Sequence, residues 1–266
     1  MSHLTDLETI LTWEGAIDNE RIRQLLDVKT VWASRLMGEL TARMGDRAQR
    51  VTAHAPLEYM EQSTDRRSPD EYLRVITHHN DNILNSLIED ARVDLSPIQL
   101  RVFSDTFSAA RSGHGLKIVY RSMSSPSGSK RVVFPHSIVR APRRWHMRAW
   151  CEERKSFRDF TLGRIVTIEP LDILTSYTRE DDAEWNQMLE LIIVAHPGMS
   201  VEQQDMISAE YFPGSSARRL CVRQCLASYV IQDLRLALDP INQPPPEYQL
   251  LVSNADKLPQ LFISNS

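Results

Sequence analysis

Residues 143–165 read RRWHMRAWCEERKSFRDFTLGRI. In a strand starting at Trp145, alternation puts Trp145, Met147 and Ala149 on one face and His146, Arg148 and Trp150 on the other. Arg131, Arg158 and Arg164 lie nearby in sequence. Tyr120 and Ser122 share parity on a preceding strand and are candidates for the same face. Arginine offers paired donors to phosphate, and Tyr or Trp offers a stacking surface. Two readings stand at this point. One is an anion cradle. The other is a set of internal ion pairs at Arg158 and Asp159 around a satisfied core histidine at 146.

The period of two holds outward from this stretch, over residues 115–173. LKIVYRS (116–122), RVVFPHSIVR (131–140), RWHMRAW (144–150), FRDFTLGRI (157–165) and IVTIEPL (165–171) are five strand candidates. Residues 124–128 and 151–155 supply turns. Five strands in so short a span predict a small, strongly bent barrel of the Sm or OB kind.

Charge marks the same region. Residues 111–164 hold 13 Lys plus Arg against Glu152, Glu153 and Asp159, a balance of +10. The chain totals −4, so the remainder carries −14. Such an excess needs an anionic counterpart, inside the protein or outside it. Overall, 42% apolar and 25% charged residues are ordinary for a globular chain. No apolar run approaches a membrane span, and MSHLTDLETILTWEG has no basic region of a secretory signal. Cys151, Cys221 and Cys225 form neither a disulfide framework nor a zinc pattern. A cytoplasmic protein without metal or cofactor is expected.

Before the strands the chain is helical. LTDLETILTW (4–13) has helical spacing. Asp18 or Asn19 can cap a helix over about 20–26, with Ile22, Leu25 and Leu26 inward. After Asp27–Lys29, a helix over 30–44 has Val31, Leu36 and Leu40 as core candidates and ends at Gly45. Extended pieces at 49–53 and 57–60 flank His54-Ala55-Pro56. Three helices and a hairpin make a winged helix-turn-helix pattern. Lys29, Thr30, Trp32, Ser34 and Arg35 open the helix that would enter a major groove, and Arg43, Arg47 and Arg50 lead toward the wing. Trp32 reads equally as core. Ser68, Pro69 and Glu71 resemble a helix start, predicting a helix over 69–91. Asp94–Pro97 caps another, over 97–112. His78 and His79 have no metal-ligand partner at the right spacing and read as packed or solvated.

The last segment alternates strand and helix. LELIIVAH (189–196), ARRLCVR (217–223) and EYQLLVS (247–253) read as strands. MSVEQQDMISAEY (199–211) and CLASYVIQDLRLAL (225–238) read as helices, and Pro244–Pro246 as an exposed loop. The expectation is a small α+β domain for packing or dimerisation.

Residues 119–165 resemble the WYL domain, with Trp145-His146-Met147 in place of the Trp-Tyr-Leu run. Trp145, His146, Arg148 and Ala149 match one motif. Phe157, Asp159, Phe160, Leu162, Arg164 and Ile165 match a second, and VYRSMSSP (119–126) and Pro135-His136 also fit. This variant is similar to the branch found in repressors beside bacterial anti-phage loci, BREX and CBASS systems included. HPGMS (196–200) and CVRQCLASYVIQDLRL (221–236) look like that family's C-terminal extension. The resemblance implies an α+β multidomain chain. Its parts would be a winged helix-turn-helix at 1–65, a helical connector at 66–113, an Sm-like WYL barrel at 114–173 and a dimerisation extension at 174–266. It implies a homodimeric repressor of a phage-defence operon, released from a double-stranded, pseudo-palindromic operator by a nucleotide or oligonucleotide. Tyr120, Ser122, His136, His146, Arg148 and Arg164 would line the ligand pocket, with Arg131 and Arg158 added by the charge argument. Relatives often carry Ala-Ser-x-Asp-Leu in the recognition helix, whereas Ala33-Ser34-Arg35-Leu36-Met37 has no acid at the fourth place. The rival readings are a WYL activator and a nucleic-acid-processing enzyme using His146.

Overall fold

Leu7, Ile10 and Leu11 recur at three- and four-residue spacing, and helix α1 (His3–Glu14) buries all three. These atoms belong to a computed structural model that describes residues 3–52, 54–60, 69–81, 87–88 and 96–259. Eight helices and three sheets make it an α+β protein among the described residues. The chain divides into two units, residues 1–92 and 93–266.

In the first unit, strand β1 (Ala16–Ile17) leads into α2 (Asn19–Leu26). Asp18 caps that helix, accepting the Arg21 N–H at 2.7 Å. Asp18→Ala is expected to cost about 1 kcal/mol, and Asp18→Asn to recover most of it. A thermal melt checks this, and an unshifted alanine variant would refute the cap's contribution. Asp27, in the left-handed region at φ 49°, turns the chain toward α3 (Thr30–Met44). Helix α3 buries Ala33, Leu36, Met37, Leu40 and Met44, and Gly45 at φ 53° ends it. Val31, a core candidate by sequence, is 82% exposed instead: the buried stripe starts at Ala33 and runs on the opposite side. Strands β2 (Ala48–Gln49) and β3 (Leu57–Tyr59) pair antiparallel, and β1 completes a sheet ordered β1-β3-β2. Of the extended piece expected over 49–53, only Gln49 is in a strand among the described residues, and residue 53 lies outside them.

Helix α4 (Asp70–His78) ends where Asn80 enters the left-handed region at φ 50°, and residues 82–86 and 89–91 of the helix expected over 69–91 lie outside the described residues. The expected cap at Ser68 and the start of the Asp94–Pro97 cap lie outside the described residues. His79 Nε2 meets the buried Asp6 at 3.0 Å, so His79 is packed.

The second unit opens with α5 (Leu100–Ser112), closed by Gly113 at φ 74°. Its Val102 and Ala109 join the core of a five-stranded sheet. The strands are β4 (His114–Ser122), β5 (Ser125–Ala141), β6 (Arg144–Cys151), β7 (Ser156–Thr161) and β8 (Ile165–Leu174), ordered β7-β6-β5-β4-β8. The first turn falls at Met123-Ser124 rather than over 124–128, so β5 runs for 17 residues. Register shifts at Val119/Tyr120 and Pro135/Ser137 bend the long strands where glycine is scarce. Leu116, Ile118, Val133, Met147, Ala149 and Phe160 fill the inner face.

After β8 come α6 (Ala183–Asn186), β9 (Met188–Ala195), α7 (Val201–Tyr211), β10 (Ala217–Arg223), α8 (Gln224–Asp233), β11 (Leu236–Ala237) and β12 (Leu250–Val252). The sheet order is β10-β9-β12-β11, with Leu191, Ile193, Ile207 and Ile231 in its core. The helix expected to reach residue 238 ends at Asp233. Arg235 at φ 48° turns the chain, and Leu236–Ala237 pair with β12 instead.

Candidate functional site

On α3 the first turns are bare. Lys29, Thr30, Val31, Trp32, Ser34 and Arg35 are exposed, Trp32 at 53%. The Arg35 guanidinium lies over the Trp32 ring at 5.2 Å and pairs with Glu39 at 2.9 Å. Ser34 accepts from Asn19 Nδ2 at 3.3 Å. The three later arginines are engaged elsewhere. Arg43 and Arg47 both pair with Glu8 of α1, at 2.8 and 3.1 Å, and Arg50 donates to the Ala55 carbonyl.

In the second unit, the sheet face opposite the apolar core is polar and aromatic. Cross-strand pairing sets Arg148 opposite Asp159, His146 opposite Thr161 and Trp150 opposite Phe157. Alternation along β6 therefore falls as the sequence predicts. The face is covered by residues 178–186 and by α8, and this cover changes the chemistry of Arg148. Asp182 accepts from Arg148 Nε at 2.7 Å and Nη2 at 2.9 Å, a two-pronged pair. Glu184 accepts from Nη2 at 2.8 Å, and Asp159 from Nη1 at 3.4 Å. Arg148 is 4% exposed and Asp182 1%. Burial opposes the charge on each, yet the contacts outweigh it. The carboxylates hold Arg148 protonated well above its ordinary range, and Arg148 with His136 hold Asp182 well below the carboxylate range. An arginine free to receive an external anion is therefore not what the structure presents at 148. Part of the +10 excess is met inside the chain, by acids from beyond the basic stretch.

His136 sits at the β5 bulge. Its Nε2 N–H donates to Asp182 at 3.1 Å, and Ser137 Oγ lies 3.0 Å from Nδ1. Phe157 and Trp185 meet the ring edge-on. Trp185 is flanked by Arg179 and Arg223 at 5.6 and 4.7 Å. His146, 5% exposed, lies against Tyr229 of α8, with the hydroxyls of Tyr229 and Thr161 both 3.5 Å from Nδ1. Burial, then the charges of Arg144 and Arg164, lower its pKa to about 4. Tyr229 donates to Asp159 at 2.9 Å, and burial pushes the Asp159 carboxyl above its usual value.

Of the eight residues expected to line a ligand pocket, His136, His146 and Arg148 meet on this face. Arg164 lies in a 3₁₀ turn beside His146. Tyr120 is in the apolar core, its hydroxyl accepting the Thr161 N–H at 3.2 Å. Ser122 sits at the β4–β5 turn, accepting the Ser125 N–H. Arg131 pairs in register with Ile118, and Arg158 with Ala149, both away from the polar face. Sequence reading missed Asp182, Glu184, Trp185 and Tyr229. Asp182 had a local signal: TREDDAEW holds a capping box, Thr178 with Asp181, and Asp182 caps α6 by accepting the Trp185 N–H. Tyr229 had none. Among the described residues no three His, Cys, Asp or Glu side chains converge as a metal site, and no helix is long and apolar enough to cross a membrane.

Residues 101–170 match the family model for the WYL domain, and residues 188–258 the model "BrxR transcriptional regulator, C-terminal dimerization domain". Three relatives carry the name DNA-binding transcriptional repressor CapW. The Escherichia coli (strain KTE188) protein is 36% identical over 59% of this chain and 52% of its own length. The Pseudomonas aeruginosa protein is 32% identical over 58% and 51%. The Stenotrophomonas maltophilia protein is 26% identical over 97% and 90%. The chain thus spans about half the length of the first two. A solved chain of proteasome accessory factor B/C from Arthrobacter aurescens aligns over 50% of this chain and 22% of its own, at 16% identity and a TM-score of 0.28. The protein carries a WYL domain followed by a C-terminal dimerization domain of the BrxR transcriptional-regulator kind.

Proposed function

We propose that this chain is a homodimeric DNA-binding repressor, not an enzyme, whose first unit reads an operator. The observation that carries the reading is the bare start of α3. An 82%-exposed Val31 and a 53%-exposed Trp32 stand there among Lys29, Thr30, Ser34 and Arg35. Uncovered apolar groups beside cations fit a major groove, where thymine methyls and guanine edges lie together. The order of three helices with the β2–β3 hairpin supports a winged helix-turn-helix over 1–65, with α3 as recognition helix and the hairpin as wing. The names of the relatives point the same way.

Residues 114–173 are proposed as a small Sm-like barrel that senses an anionic nucleotide or oligonucleotide through His136, His146, Arg148 and Arg164. Residues 174–266 are proposed as the dimerising part. The Arg148 contacts tie β6 to the 178–186 segment, and Tyr229 ties β7 to α8. A ligand that competes for these contacts would alter how the sheet and the dimerising part join. It can shift the dimer only by its difference in affinity for the two states. A phage-defence operon is the proposed target.

The test is a gel shift with DNA from directly upstream of the gene. Wild-type protein is expected to bind and to weaken steeply with added salt. Thr30→Ala with Arg35→Ala is expected to weaken binding at least tenfold. Equal binding by the double variant would remove α3 from the reading.

A further inference from the structure

Helix α3 carries a second pattern on the side away from its buried stripe. Trp32, Arg35 and Glu39 follow at spacings of three and four, so they stand one above another on one face. All three reach solvent, the side chain of Arg35 at 68% exposure and that of Glu39 at 41%. The Arg35 guanidinium is held from two sides. Its Nε donates to Glu39 Oε1 at 2.9 Å, and its central carbon lies 5.2 Å from the centre of the Trp32 ring. Nε is therefore occupied, while Nη1 and Nη2 have no partner among the described residues.

Each contact is weak alone at a surface. Together they act on one guanidinium and fix its plane, so part of the side chain's ordering is complete before any ligand arrives. What remains on offer is the outer edge of the fork, two parallel N–H donors. The charge of that fork is already met, since Arg35 and Glu39 sum to zero. A phosphate there would set two negative groups around one cation. A pair of neutral acceptors meets no such conflict. In the major groove, O6 and N7 of guanine are that pair, and arginine meets them with two hydrogen bonds. Ser34 is less available, because its hydroxyl accepts from Asn19 Nδ2. Val31 and the Trp32 ring stand bare beside the fork, and the apolar group of the major groove is the thymine methyl.

We infer that Arg35 reads one guanine in each half-site through Nη1 and Nη2, with Glu39 as the residue that positions the fork. Trp32 backs the guanidinium and packs on the methyl of an adjacent thymine. The inference rests on the operator reading of α3. It adds the base that is read and an acid, Glu39, that makes the reading selective. Without Glu39 the same arginine is an unrestrained cation, able to take a phosphate of any sequence.

The experiment is a footprint of the full chain on the upstream DNA, then gel shifts with each protected base pair changed in turn. Wild type is expected to lose at least tenfold in affinity when one guanine of a half-site becomes adenine. In Arg35→Lys and Glu39→Gln, each checked for folding by circular dichroism, the loss at that guanine should shrink to about threefold or less. Losses at the other positions should stay. Glu39→Gln should also bind unrelated DNA more tightly, with a log–log salt slope steeper by about 1. Trp32→Phe should keep most of the guanine preference and Trp32→Ala should lose it. Uracil in place of the adjacent thymine should cost wild type about threefold, for one methyl group, and Trp32→Ala nothing. Equal binding of the uracil probe by wild type would remove the methyl contact. If Glu39→Gln lowers affinity evenly at every position, with no steeper salt slope, Glu39 is merely structural and the inference is overturned. A wild type indifferent to every guanine overturns it too, and both results leave operator binding intact. A chain that protects no DNA sinks the operator reading and this inference with it.

Discussion

Arg148→Met is expected to destabilise the unit of residues 93–266 by about 3–5 kcal/mol, the usual cost of breaking a buried ion pair from one side. The methionine fills most of the arginine's volume, so the loss is electrostatic. It strands Asp182, 1% exposed, and the Asp159 carboxylate without their shared cation. For a unit of this size the melting temperature should fall by roughly 10 °C. Arg148→Lys should recover only part, since an ammonium cannot span both oxygens of Asp182. Arg148→Met combined with Asp182→Asn should cost clearly less than the two changes summed, because the second removes the charge the first leaves unpaired. A melt within about 1 °C of wild type for Arg148→Met would end the idea that this network anchors residues 178–186 to the sheet.

Stability should also fall between pH 6.5 and 4, and His146 should account for a large share. Its folded pKa, about 4, lies below its ordinary 6.5. In that window the unfolded chain takes up a proton that the folded chain refuses. The contribution is full above pH 6.5 and is lost as pH falls toward 4, at most about 3 kcal/mol at ~1.4 kcal/mol per pH unit. The groups facing His146 are Arg144 and Arg164, which repel a second positive charge, the hydroxyls of Thr161 and Tyr229, and Asp159 beyond Tyr229. Asp159 works the other way, since its raised pKa favours proton uptake in the fold. Asp182 is held low, so its loss falls below pH 4, outside this window. Denaturant titrations at pH 7 and pH 5 on wild type and His146→Gln separate the terms. The variant should lose less stability on acidification. Identical losses would place the pH sensitivity elsewhere.

What could be read without coordinates follows from local periodicity. The strands of the five-stranded sheet, and His146, Arg148 and Trp150 on a face opposite Met147 and Ala149, follow from a two-residue repeat. The Asp18 cap and the Gly45 and Gly113 stops are equally local. Boundaries failed where one residue left the helical region, at Asn80 and Arg235, because asparagine and arginine in αL carry no signal as firm as glycine's.

The partners of those side chains were another matter. Sequence by itself determined that a basic, aromatic-rich sheet would follow a helical unit and precede an α+β extension. It also marked Arg148 and His146 as the unusual side chains of that sheet. Only the tertiary structure decided what they do. Arg148 meets acids 34 and 36 residues away, and His146 meets a tyrosine 83 residues away. Charge counting registers an excess but not its partner. Pairing depends on which distant segment covers the sheet face, and no local repeat encodes that cover.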